Sequence, residues 1–365
     1  GICCFSIIIT FATNLINQKT TLMKKTITLL FAVFSMAIAN AQYRNALSFD
    51  NVDDYVSVTN GSAGISGSSQ ISMTMWVYPM NTAPAYPDYD GFAGFRNNTS
   101  ADFYITQLTA TSLEIRFRNS VGTNFDITST AITLNAWNHY VLTYDGAKMR
   151  VYHNGALTDS LAANGNITSG VETFYIGETP WTGAPFLMNG LEDEISLWNH
   201  TLTPAEVSCI YNTGIDSTAS GLQLYYKCNQ GLAAGTNTGL ATLNDASNHI
   251  SGTLNNFALT GATSNWVTGI ADYALYSRKM CHNGSYSFHG QSFASPGTYM
   301  VSFHSVAVCD STVQLTLAYA DTSVNTAGLS LTANQTGCTY QWINCATGTS
   351  IAGATSMSYT APVAG

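Results

Sequence analysis

The chain is short of charge, and of positive charge above all. Only 9% of its 365 residues are charged, with 12 Lys and Arg against 21 Asp and Glu, for a net charge of −9. So few and scattered bases exclude a nucleic-acid binder and a protein that docks on anionic membranes. No glycine-rich phosphate loop occurs, and no Ser-His-Asp or Cys-His nucleophile pattern stands out. No CxxC or paired-histidine spacing supports a zinc site. Strand and helix patterns do not alternate, which excludes a parallel α/β sheet.

Long apolar runs are also missing. The stretch Ile27 to Ile38 falls short of the roughly 20 residues that span a bilayer. Lys24 and Lys25 precede it, and Ala39-Asn40-Ala41 follows as a small-x-small cleavage site. That order reads as a secretory signal over residues 23–41 rather than an anchor, with residues 1–22 as translation upstream of the true start. The first 41 residues carry three lysines and no acid, so their removal takes the net charge from −9 to −12. The expected product is secreted or held at the cell surface, with no membrane insertion after cleavage. Divalent cations and neutral glycans suit such a surface.

What the chain does have is strand pattern. "ISMTMWVYP" sets Ile71, Met73, Met75 and Val77 against Ser72, Thr74, Trp76 and Tyr78, the period of a half-buried strand. "FYITQL" and "LEIRFR" read as another pair. Residues 137–161 contain Asp145-Gly146 and Asn154-Gly155, dipeptides that tolerate positive φ in tight turns, and so predict a three-stranded meander. The fold class expected is all-β, an antiparallel jelly-roll β-sandwich followed by smaller β-sandwich-like modules. One helix is predicted over 202–214, with Thr203 as N-cap, Pro204 in the first turn, Glu206 closing a capping box and Gly214 as the stop.

Six cysteines follow the signal: Cys209, Cys228, Cys281, Cys309, Cys338 and Cys345. An even count in an exported chain points to disulfides. Sequence-local pairing (209–228, 281–309, 338–345) is expected, because the last two pairs each fall within one predicted module and the first ties the extension to the module it packs on. The modules are residues 42–214, the jelly roll; 215–271, a Gly/Asn/Thr-rich extension packing on it, with Cys228 reaching back to Cys209; 272–320, a small β repeat; and 321–365, an Ig-like module that stops short.

Taken together, "ALSFDNVDDYVSV" (46–58), "ISMTMWVYP" (71–79), "WNHYVLTYDGAKMRVYHNGAL" (137–157), "FYIGE" (174–178) and "MNGLEDEISLWNHTLTPAEV" (188–207) resemble, in order and spacing, the laminin-G-like, concanavalin-A-like jelly-roll family of secreted bacterial surface proteins. Asn51 stands where that family usually has Gly. The 281–317 stretch, with Cys281, Gly284, Tyr286, Phe288, Gly290, Gly297, Tyr299, Cys309, Asp310 and Ser311, resembles a repeat module of Gram-negative surface proteins. Residues 331–365, around "YQWINC", resemble immunoglobulin-like repeats. The resemblance implies export and surface sorting, and a non-enzymatic binding or adhesion role toward glycan or glycoprotein. The alternatives are a carbohydrate-binding accessory to a larger polysaccharide-degrading enzyme and a purely structural adhesin stalk.

Three sets of residues are candidate sites. Asp50, Asp53 and Asp54 crowd one turn, and such like charges repel unless a cation such as Ca²⁺ or hydrogen bonds neutralise them. The resemblance implies a structural Ca²⁺ between the first and last strands, held by Asp50, Asp193 and backbone oxygen such as that of Gly190. Second, "LEDEISLWNH" (191–200) places three carboxylates in a strand. Strict alternation puts Asp193 on the apolar face with Leu191, Ile195 and Leu197, and Glu192 and Glu194 together on the other. Two carboxyls sharing a face leave open the geometry of a retaining glycoside hydrolase, although a third acid found in glucanases of this fold is replaced by Ser196 and Trp198. The better reading is a framework acid, Asp193, tying the last strand to the first. Third, the loops at 78–92 and 178–186 carry Tyr86, Tyr89 and Trp181, which could stack on sugar rings while Asp88, Asp90 and Arg96 bond hydroxyls, or simply pack down as anchors. Trp137 and His139 are read as buried framework, and His153 as solvated.

Overall fold

The computed structural model describes residues 45–168, 170–270, 274–280, 285–303, 308–309, 311–336, 340–344 and 347–362. The expected signal and upstream segment fall outside these residues, as do Cys281 and both members of the 338–345 pair. The described residues between 45 and 274, with those of 302–312, form one compact unit, and the remainder of the described chain forms a second. Among the described residues no helix is long and apolar enough to cross a membrane.

The first unit is an antiparallel β-sandwich. In chain order its strands are β1 Asn45–Asp50, β2 Tyr55–Val58, β3 Ile71–Pro79, β4 Asp90–Arg96, β5 Asp102–Thr109, β6 Ser112–Arg118, β7 Asn124–Ser129, β8 Asn138–Tyr144, β9 Lys148–His153 and β10 Ala156–Ala162. There follow β11 Phe174–Ile176, the short hairpin β12 Glu178–Thr179 and β13 Phe186–Leu187, then β14 Asn189–Trp198, helix α1 Pro204–Thr213, β15 Leu222–Tyr226, β16 Thr242–Leu243, β17 Gly252–Asn255 and β18 Asn265–Thr268. One sheet runs β10-β9-β8-β3-β14-β1-β18, with β15 beside β14; the other runs β16-β17-β2-β11-β4-β5-β6-β7. Residues 215–270 thus add strands to both sheets.

The alternation in β3 does what its sequence asks. Ile71, Met73, Met75 and Val77 are fully buried between the sheets, where Phe92, Phe95, Phe103 and Phe117 of the second sheet meet them. The meander also forms as read: β8, β9 and β10 pair in succession, with Gly146, Asn154 and Gly155 all at positive φ. Helix α1 has the full capping box between Thr203 and Glu206, Pro204 in its first turn and Gly214 at its end. Its Val207 and Ile210 join Val141, Trp198 and Tyr225 in a second apolar cluster on the outer face of the first sheet.

The disulfide differs from the local pairing expected. Cys209 joins Cys309, 100 residues away, and Cys228 is a free, buried thiol. The reason is which core each side chain enters. Cys228 packs into the main core between the sheets with Tyr226 and Trp266, whereas Cys209 and Cys309 meet on the outer-face cluster beneath α1. Cys228 therefore cannot reach back to Cys209, and Cys309 is not available to Cys281.

The second unit is built on a three-stranded sheet in the order Ala274–Met280, Ser311–Tyr319, Gly297–Phe303, and a further one of Val324–Ala327, Ser330–Ala333 and Ser358–Thr360. Trp342 of "YQWINC" is the largest buried side chain among its described residues, clustered with Ala320 and Ala333.

Candidate functional site

Sheet two presents one face to the core and the other outward. In β6, Leu113, Ile115 and Phe117 point in, which leaves Glu114, Arg116 and Arg118 outward. In β4 and β5 the same rule turns Arg96 and Tyr104 out while Phe95 and Phe103 point in. The β12–β13 hairpin folds over this outer face and carries Trp181 at its tip. It approaches β4 so closely that a side chain at Gly91 would collide with the Thr179 and Phe186 backbone. Thr106 of β5 donates to Thr179 Oγ1 at 3.1 Å and helps pin the hairpin.

The result is an open cleft of about 220 Å³ lined by Tyr86, Tyr89, Arg96, Leu108, Glu114, Arg116, Trp181 and Phe186. Of the six residues singled out from the sequence, four meet here: Tyr86, Tyr89, Arg96 and Trp181. Trp181 remains 38% exposed and Tyr86 65% exposed, so neither has been used up in packing. Tyr86 contacts Tyr89 edge-on at 6.1 Å between centroids, and Tyr89 contacts Phe186 at 5.2 Å.

Arg96 is the polar centre of the cleft. Its guanidinium carbon lies 4.3 Å from the Trp181 ring centroid and 5.1 Å from that of Tyr104. It is nearly buried, and this burial holds its pKa below the ordinary arginine value, with Tyr104 and Asp102 opposing. Its Nε has no hydrogen-bond partner among the described residues. Arg116, by contrast, is committed: Nε and Nη2 donate to Asp126 at 2.7 and 3.0 Å. Tyr104 donates to Glu114 Oε1 at 2.6 Å, which leaves the other Glu114 oxygen 3.6 Å from Arg116. The cleft therefore offers aromatic surface, an arginine guanidinium and a carboxylate acceptor.

Asp90 does not belong to it. Its side chain is fully buried under the cleft, where Asn81 Nδ2 donates to it at 2.8 Å and Asn189 N at 3.4 Å. Burial raises its pKa to about 7, with those two donors opposing. It is a framework acid. The neighbouring Asp88 is exposed. Sequence reasoning missed Phe186, Glu114 and Arg116. The last two were legible as the outward alternates of "LEIRFR"; Phe186 was not, because it needs the hairpin to fold over β4.

The three acids of "LEDEISLWNH" lie differently from strict alternation. The β3–β14 register gains one extra residue on β14 between Asp193 and Ser196, and Glu194 takes the left-handed φ of 55°. This is a β-bulge, and it reverses parity. Glu192, opposite Leu47 and Val77, faces the main core, while Ile195 and Leu197 share that face. Asp193 and Glu194 both turn to the outer face. Asp193 Oδ1 accepts from Glu194 N at 2.9 Å and Oδ2 from Ile270 N at 3.0 Å. The inward acid is thus Glu192, not Asp193. Because Glu192 and Glu194 point to opposite sides of the sheet, they cannot flank one glycosidic bond.

The cation candidates divide in the same way. Asp50, Asp53 and Asp54 each bring an oxygen within 4.8 Å of the others. Asp54 also accepts from Ser264 Oγ at 2.7 Å and from Asp50 N at 3.2 Å. Burial raises its pKa to about 7; Ser264 opposes, and the Asp50 and Asp53 charges add. Asp193 is not part of this group: Asp50 pairs with Asn189, which puts Asp193 four positions further along, roughly 13 Å at ~3.3 Å per residue. Gly190 lies inside the ladder, opposite Phe49 and Pro79. His139 is buried, as expected, but on the outer face beside Trp76. His153 Nε2 is 2.8 Å from Asn138 Oδ1 rather than free in solvent.

Comparison with known proteins agrees with the sandwich. Residues 50–208 match the laminin G family described as the concanavalin A-like lectin/glucanases superfamily. No curated protein matches the chain. Among solved structures, a candidate carbohydrate-binding protein from Bacteroides ovatus is 21% identical over 60% of this chain and 60% of its own length, at a TM-score of 0.44. A heptameric SAP-like pentraxin from Limulus polyphemus is 17% identical over 47% of this chain and 83% of its own, at 0.37. Domain 4 of a GH43 extracellular arabinanase from Geobacillus stearothermophilus, solved with arabinotriose, is 20% identical over 45% and 74%, at 0.36.

Proposed function

We propose that the jelly-roll unit is a non-catalytic glycan-binding domain of an exported surface protein, and that the Tyr86–Arg96–Trp181 cleft is its binding site. One observation carries the reading. Trp181 stays 38% exposed and Tyr86 65% exposed beside the Arg96 guanidinium, whose carbon lies 4.3 Å from the Trp181 ring centroid. A sugar hydroxyl at the exposed part of the guanidinium gains a charge-assisted hydrogen bond beside aromatic surface that packing has left open. A pyranose stacked on Trp181 brings its equatorial hydroxyls to Arg96 and Glu114, which is what a rigid aromatic platform with few polar groups does best. The match of residues 50–208 to a lectin/glucanase superfamily supports the same class of ligand. Export rests on the Lys24-Lys25, apolar, Ala39-Asn40-Ala41 order. Adhesion to a glycan or glycoprotein is the role proposed; service as the carbohydrate-binding part of a larger degrading enzyme uses the same cleft.

Calcium is proposed at Asp50, Asp53 and Asp54 alone. Three carboxylates with oxygens within 4.8 Å of one another suit a hard cation such as Ca²⁺, and the Asp50 and Asp53 charges work against ionisation of Asp54 beside the larger effect of its burial. A glycan array probed with the full chain, with and without chelator, tests the function. Binding to a defined glycan class, abolished by Arg96→Ala, is expected; an array with no ligand in the presence of calcium refutes it.

A further inference from the structure

The aromatic cleft has a charge pattern that a neutral sugar does not use. Apart from Asp90, sealed beneath the cleft, β4 to β7 carry three arginines and three acids: Arg96, Asp102, Glu114, Arg116, Arg118 and Asp126. The numbers balance, but the pairing does not. Asp126 accepts two N–H bonds from Arg116, at 2.7 and 3.0 Å. Glu114 accepts from the Tyr104 hydroxyl at 2.6 Å and lies 3.6 Å from the same Arg116. Asp102 stands opposite both Arg96 and Arg118 in the ladder, and it turns to Arg118. Its Oδ2 is 3.3 Å from Arg118 Nε, while Oδ1 accepts from the Asn97 and Asn98 backbone at 3.2 and 3.3 Å. Three acids thus serve two arginines, and Arg96 is left over. No ion pair reaches it among the described residues.

The part of Arg96 that a ligand can meet is the end of its fork. Nε is shut off from solvent, so the guanidinium lines the cleft through Nη1 and Nη2. The Trp181 and Tyr104 rings, at 4.3 and 5.1 Å, support the charge but supply no oxygen acceptor. A cation drawn this far out of water without an anion beside it is unfavourable. The lowering of its pKa by burial has the same origin. A carboxylate matches the fork, because its two oxygens accept two parallel N–H bonds in one plane. A hydroxyl brings one oxygen to the same two donors.

We propose that the cleft selects an acidic sugar, a hexuronate whose carboxylate pairs with Nη1 and Nη2 of Arg96 while its ring lies on Trp181. This rests on the glycan-binding reading of the same cleft and names the ligand class within it. The selection is local. The chain's net charge of −9 does not oppose it strongly, since exposed charges more than ~10 Å away are largely screened at 0.1 M salt.

The test uses the full chain unaltered. Oligosaccharides of galacturonate, glucuronate, mannuronate and guluronate are arrayed beside their carboxyl-reduced counterparts, which keep every ring stereocentre and lose only the charge. Sulfated neutral oligosaccharides form a third arm. At least one uronate is expected to bind, and calorimetry should find its reduced counterpart weaker by about tenfold or more. Raising salt from ~0.05 to ~0.5 M should weaken the uronate and leave the reduced sugar unchanged. Arg96→Lys keeps the charge and loses the fork, so it should cost the uronate about tenfold and the reduced sugar little. Arg96 also packs against Trp181, so if that variant misfolds, the acid and reduced ligands compared on the unaltered protein decide the matter. A reduced counterpart that binds as tightly as its acid, or a sulfated sugar that binds more tightly than every uronate, overturns this inference and leaves the glycan-binding reading standing. An array on which no glycan binds overturns both.

Discussion

Replacing Glu192 by leucine should make the protein more stable, and replacing Asp193 by leucine should make it less so. The two acids are adjacent in sequence and both fully buried, yet their surroundings differ. Glu192 points between Leu47 and Val77 into the main core, and among the described residues neither of its oxygens makes a hydrogen bond of ordinary geometry. Burial pushes its pKa well above the carboxylate range, with the Gly177 backbone opposing. Removing such a group in favour of an apolar side chain of similar size should stabilise by about 2 kcal/mol at pH 7. The pH dependence gives a second reading. A carboxyl with a raised folded pKa binds more protons in the native state than in the unfolded one, whose pKa is ~4.3, so its contribution falls as pH rises from there. Glu192→Leu should therefore flatten the stability profile between pH 5 and 7 by up to about 1.4 kcal/mol per pH unit. Asp193 accepts two backbone N–H bonds, from Glu194 in a buried setting and from Ile270 in a part-buried one, and Asp193→Leu removes both acceptors, a loss of about 2–4 kcal/mol. Urea unfolding of both variants at pH 5 and 7 measures all of this. If Glu192→Leu is the more damaging change, the bulge assignment is wrong and strict alternation is right.

Three further outcomes follow from the same structure. Non-reducing peptide mapping should recover Cys209 linked to Cys309, with Cys228 alkylated only after unfolding; Cys209→Ser should lower stability by about 2–4 kcal/mol, given the 100-residue loop the bond closes. Asp54, Asp90 and Glu178 are each raised by burial to about 7, so chelator-treated protein should lose stability as pH climbs from about 4 through 7, and added Ca²⁺ should raise the melting temperature most at the upper end of that range. Gly91→Val should push the β12–β13 hairpin off β4 and abolish glycan binding while far-ultraviolet circular dichroism stays unchanged, because the collision is with hairpin backbone rather than core.

Much of the sandwich was legible in the chain because its strands follow one rule. The alternation of Ile71 to Val77, the Asp145-Gly146 and Asn154-Gly155 turns and the Thr203–Glu206 capping box are local features, and local physics decides them. For Tyr86, Tyr89, Arg96 and Trp181 the sequence left two readings, a sugar site or loop anchors, and the structure brings the four to one open cleft. What failed was non-local. A single inserted residue in β14 reversed the facing of Glu192 and Asp193, and nothing in "LEDE" says where the extra residue falls. The cysteine pairing depended on which core Cys209 and Cys228 entered, a choice made by the packing of α1. Asp90 reads as a ligand because it stands in the aromatic loop at 78–92, but β4 begins there and its side chain is fully buried.

The cleft is the central claim, and Trp181→Ala tests it most directly. Trp181 is more than a third exposed, so its removal should shift the melting temperature little. It should weaken binding of the array-identified glycan by about 2 kcal/mol, roughly thirtyfold, as expected for a stacking tryptophan at the centre of a site. Isothermal titration of wild type and variant with that glycan gives the answer: a loss of this size with an unchanged fold agrees with the account, and undiminished affinity contradicts it.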